Sequence, residues 1–95
     1  MKIVIQPLDF HITTELETFI TNALDVLRQF DVDITRIEVI LGSEIADRDR
    51  QKFCNIRLIS PGTGYLVAQR GEEYETAVQK AVDDLGGKIT RDTRS

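Results

Sequence analysis

Tyr74-Glu75-Thr76-Ala77-Val78-Gln79-Lys80-Ala81-Val82-Asp83-Asp84-Leu85 is the stretch that decides how this chain folds. Tyr74, Ala77, Val78, Ala81, Val82 and Leu85 recur three or four residues apart, which a helix gathers into one apolar stripe. Glu72, Glu73 and Glu75 suit the positive end of its dipole. Beyond the stripe stands Gly86-Gly87, and each glycine costs roughly 1 kcal/mol in a helix interior. The helix is therefore expected to end there or fray onward through Ile89, with residues 86–95 as a frayed tail.

Upstream, residues 65–70 read as a strand closed by Gly71, with Leu66 and Ala68 expected on the core side. Ser60-Pro61-Gly62-Thr63-Gly64 is a hairpin turn. In residues 52–59, Cys54, Ile56 and Leu58 point one way, while Phe53, Asn55, Arg57 and Ile59 point the other. Residues 42–51 are polar, with charges of both signs, and are expected to form a mobile loop. Residues 34–41 form another strand, with Ile37, Val39 and Leu41 on one face.

Asp31-Val32-Asp33 breaks a second helical stripe made of Leu16, Phe19, Ile20, Ala23, Leu24 and Leu27. Thr13 or Thr14 can cap that helix, and Thr14 with Glu17 has capping-box spacing. The chain opens on a short β-rich run, residues 2–6, halted by Pro7.

The order is strand, helix, three strands, helix. Two helices with one apolar stripe each can both pack on one face of a four-stranded sheet. The expected fold is thus an α+β two-layer sandwich, βαβββα, in one domain over residues 1–95, a length that supports a single core. The opposite sheet face is expected to show Val4, Ile40, Phe53, Ile59, Tyr65 and Val67 among Arg36, Glu38, Asn55, Arg57 and Gln69. A contiguous patch of this kind suits a protein-interaction module, for instance a homodimer joined around Phe53, Tyr65 and Val67.

Several chemistries lack their residues. His11 is the only histidine and Cys54 the only cysteine, so there is no internal disulfide, no zinc set and no nucleophile beside a base. Cys54 lies in an apolar run and reads as a core residue. Gly62-Thr63-Gly64 joins two strands, without the helix N-terminus that a phosphate cradle needs. No cofactor or metal is implied, and binding is expected rather than catalysis. No apolar run approaches the ~20 residues of a membrane span, and residues 1–7 are too brief for a signal-peptide core, so the expected location is the cytoplasm, with no membrane partner.

The formal net charge is −4, the wrong sign for a phosphate binder, but the charges are segregated. Residues 50–71 contain no acidic residue, yet hold Arg50, Lys52, Arg57 and Arg70. Lys88, Arg91 and Arg94 form a second cluster against Asp92, while the first helix and the body of the last are acidic. Either this is ordinary solvated charge, or the domain is bipolar and offers its basic side to phosphate.

Taken in order, His11-Ile12-Thr13, Ile37-Glu38-Val39, Ile56-Arg57-Leu58, and Tyr74-Glu75-Thr76-Ala77-Val78 leading through Asp83 to Leu85 resemble the ribosome hibernation promoting factors. These are also called ribosome-associated translation inhibitors or sigma-54 modulation proteins. The resemblance covers nearly the whole chain and looks like a short form or an isolated N-terminal domain. It implies a βαβββα fold whose partner is the small ribosomal subunit, with its 16S-type rRNA, and which silences or protects idle ribosomes. The phosphate contacts expected on that reading are Arg28, Arg57, Arg70, Lys80, Lys88, Arg91 and Arg94. Asp84 and Gly86-Gly87 stand where the family is commonly basic.

Overall fold

The computed structural model describes residues 1–30 and 32–93. Its elements are β1 (Lys2–Pro7), α1 (Thr14–Asp25), β2 (Arg36–Ala46), β3 (Asp49–Ser60), β4 (Thr63–Gly71) and α2 (Tyr74–Thr93). A 3₁₀ stretch, Val26–Gln29, extends α1. The order is the expected βαβββα. The helix break read at Asp31 and the cation Arg94 lie outside the described residues.

The sheet runs β1-β2-β3-β4. β1 lies parallel to β2 with α1 as the crossover, and β2, β3 and β4 form an antiparallel meander. Thr13 is the α1 cap: its Oγ1 accepts the Leu16 N–H at 3.1 Å, which satisfies one of the orphan donors of the first turn. Leu16, Ile20, Leu24 and Leu27 are then buried against Ile37, Val39 and Leu41 of β2, Cys54, Ile56 and Leu58 of β3, and the α2 stripe. Each such leucine or isoleucine contributes roughly 1.5–3 kcal/mol by leaving water. Phe10 stacks on Tyr74 with centroids 4.7 Å apart, and Lys52 Nζ lies 5.4 Å from the Tyr74 centroid, which joins the start of α2 to the sheet and to the loop before α1.

Three expectations are corrected. Residues 42–51 are not a loop. β2 and β3 pair without interruption from Arg36↔Ile59 to Ala46↔Asp49, and the turn is Asp47-Arg48 alone, with φ of 51° and 71°. A two-residue hairpin turn of this twist needs positive φ at both positions, a role normally signalled by Asn-Gly or Asp-Gly; arginine in the second place hides it. Pairing with β1 stops at Leu41 and with β4 at Lys52, so the distal half is a two-stranded ribbon whose polar residues face water.

The second correction is the phase of β4. Val67 is 3% exposed and Leu66 is 66% exposed, so Tyr65, Val67 and Gln69 face the helices, while Leu66 and Ala68 face out. Both alternations are equally apolar, so periodicity alone could not choose. The two-residue turn Pro61-Gly62, with Gly62 at φ 80°, sets Ser60 opposite Thr63 and thereby Ile56 opposite Val67. Directly opposed residues share a face, and Ile56 is buried. The open face accordingly presents Phe53, Ala68 and Leu66, with Leu66 opposite Arg57; the surface expected around Phe53, Tyr65 and Val67 is not built.

Thirdly, α2 does not stop at Gly86-Gly87 but continues to Thr93. Ile89 is fully buried one turn later. Its burial is of the same order as the roughly 1 kcal/mol that each glycine costs.

Candidate nucleic-acid interface

β4 is an outer strand, and its alternation puts Leu66, Ala68 and Arg70 on the open face and Tyr65, Val67 and Gln69 beneath α2. Three contacts then align α2 along it. Lys80 Nζ donates to the Arg70 carbonyl oxygen at 3.2 Å, and Gln69 Nε2 donates to Asp84 Oδ2 at 3.1 Å. The Tyr65 hydroxyl donates to the Asp92 carboxylate, and that bond, followed by burial and the carboxylate's charge, raises the tyrosine above its ordinary pKa. α2 therefore runs antiparallel to β4. Lys88 falls one turn after Asp84, half-buried between these contacts, and Arg91 follows it, exposed.

The structure thus brings Arg57 and Arg70 to one side of the β4 edge and Lys80, Lys88 and Arg91 to the other. Arg28 stands elsewhere, on the 3₁₀ stretch, with its Nε 2.6 Å from Asp25 in the same turn. Arg94 lies outside the described residues.

Strand register adds two cations that the site reading omitted. Lys2 pairs with Arg36, and Arg36 with Ile59, so both lie on the open face with Arg57 and Arg70. The alternation of β2 already carried that signal for Arg36. Against these four cations the same face of the sheet has Glu38, Glu44 and, at the tip of the ribbon, Asp49, while Glu15, Glu17, Glu72, Glu73, Glu75 and Asp83 are exposed on or beside the helices. The open sheet face thus carries a small cationic excess although the chain is acidic overall.

Glu38 and Glu44 on this face are engaged. Arg70 Nε lies 2.7 Å from Glu44 Oε1, Arg36 3.2 Å from Glu38, and Arg57 3.9 Å from the other Glu38 oxygen. These pairs are partly exposed and worth about 0–1 kcal/mol each, weak enough to be exchanged for phosphate.

Cys54 is buried in β3, and burial pushes its thiol up to about 12, which leaves no thiolate to act as a nucleophile near neutrality. Among the described residues no three His, Cys, Asp or Glu side chains converge as metal ligands, and no helix is long and apolar enough to cross a membrane.

A family model described as sigma 54 modulation protein / S30EA ribosomal protein matches residues 3–94. No curated protein matches. Among solved structures, the N-terminal domain of Protein Y from Thermus thermophilus matches with a TM-score of 0.80 at 22% identity, over 96% of this chain and 98% of that one. A ribosomal subunit interface protein from Coxiella burnetii matches with a TM-score of 0.82 at 14% identity, over 100% of both. At these identities the two structures share the fold.

Proposed function

The chain belongs to the sigma 54 modulation protein / S30EA ribosomal protein family, and we propose that it binds the small ribosomal subunit through 16S-type rRNA and silences or protects idle ribosomes. The observation that carries this reading is the set of cations flanking β4: Arg57 and Arg70 on the open face, Lys80, Lys88 and Arg91 on α2. Arg28 extends the proposed contacts from the 3₁₀ stretch, and Arg94 extends them in sequence. The cations of the open sheet face stand apart from the exposed carboxylates on and beside the helices, so a negative net charge is compatible with RNA on that face. The protein acts by occupancy, in the cytoplasm where ribosomes work, and forms or breaks no covalent bond.

Co-sedimentation with purified small subunits at low and moderate salt tests the reading. Each phosphate contact releases counterions, so affinity should fall steeply with salt. Changing Lys88, Arg91 and Arg94 together to Glu should abolish pelleting while leaving the circular dichroism unchanged. A well-folded protein that fails to pellet at low salt, or that pellets equally at both, overturns it.

A further inference from the structure

The open face holds a groove of about 570 Å³ lined by Glu44, Phe53, Asn55, Ala68, Gln69 and Arg70. Such a volume lies within the roughly 300–1,000 Å³ range of small-ligand clefts. Its floor is Phe53. The ring rests against the backbone of Gly42, where a Cβ would stand 2.5 Å from Cζ and 2.7 Å from Cε2. Glycine therefore lets the ring lie down on the sheet, and Phe53 remains half-exposed.

The Arg70–Glu44 pair closes one end of this groove. The two residues belong to β4 and β2, two strands apart, so their side chains reach across β3 beside Phe53. Phe53 itself sits between Gly42 and Arg70 in the ladders.

On the ribosome-binding reading above, we propose that this groove takes one unpaired nucleotide of RNA. The base stacks on Phe53 with the Asn55 amide at its edge, and the phosphate takes Arg70 from Glu44. An aromatic ring, a side-chain amide and a guanidinium on one surface are the groups that recognise splayed single-stranded bases. The charge of the face agrees, with four cations against Glu38 and Glu44, both already paired, and Asp49 at the far tip of the ribbon. An apolar protein partner would have to bury those same arginines and glutamates. Glu44 holds Arg70 only weakly, and its carboxylate repels the incoming phosphate.

The test uses the full chain, a fluorescein-labelled single-stranded RNA hexamer of mixed sequence, fluorescence anisotropy and amide chemical shifts, with small-subunit co-sedimentation in parallel. Phe53→Leu keeps an apolar side chain over Gly42 but removes the π-face, and should weaken hexamer binding about tenfold, within the range of base–aromatic stacking. Glu44→Gln should tighten it several-fold and should fold normally, even if the Phe53 variant does not. Shifts should centre on Gly42, Phe53, Asn55, Ala68 and Arg70. Shifts confined to α2, unchanged affinity in both variants, or self-association through this face without RNA binding would overturn the proposal. If small subunits carry the protein down while the hexamer does not bind, the groove is refuted and the ribosome reading stands. Phe53-dependent hexamer binding without pelleting refutes the reading and keeps the groove.

Discussion

Val67 stands directly opposite Ile56 in the ladder between β3 and β4, and both side chains are buried in the core. Shortening Val67 to Ala should cost about 2 kcal/mol, the lost methyl groups plus the cavity they leave. Leu66→Ala, one residue away but turned to solvent, should stay within about 0.5 kcal/mol. Urea unfolding of the two variants separates them; equal losses would mean that β4 has the other phase.

Gly42 matters for what lies on it rather than for its backbone dihedrals. Gly42→Ala should push the Phe53 ring off the sheet, at a cost of about 1 kcal/mol. The ring is the free end of a side chain, so the fold should survive. In a Phe53→Leu background the same alanine should cost less, and a double-mutant cycle by thermal unfolding reads that coupling.

The glycines of α2 are open to improvement. A Cβ on Gly86 would meet Phe30 Cζ at 3.5 Å, and one on Gly87 would meet Arg91 at 3.6 Å, both ordinary contact distances. Gly86→Ala and Gly87→Ala should each raise stability by about 0.5–1 kcal/mol, and a lowered melting temperature for either would show that the helix needs its glycine there.

Tyr65 couples the end of α2 to alkaline pH. Its bond to Asp92 needs the phenol protonated and raises its folded pKa above the ordinary value of 10.0. The stabilisation is therefore whole below about pH 10 and drains away as pH rises through the higher folded value. Tyr65→Phe should melt lower at pH 8 and show a shallower alkaline decline; parallel pH profiles for the two proteins would mean that the bond contributes nothing.

Local pattern determined the helices, the element order and the faces of β2 and β3, because a period of two or of three to four is written within each element. Sequence also showed the acid-free run of residues 50–71 and the buried place of Cys54. Tertiary structure decided what depends on register between segments. The turn Pro61-Gly62 set the phase of β4 against Ile56, the core contact of Ile89 carried α2 through two glycines, and Asp47-Arg48 turned a polar stretch into a ribbon. The candidate site is of the second kind. Arg70 was visible as a cation, but Glu44 at its guanidinium and Lys80 at its carbonyl come from a distant strand and a helix, and only the packed sheet brings them together.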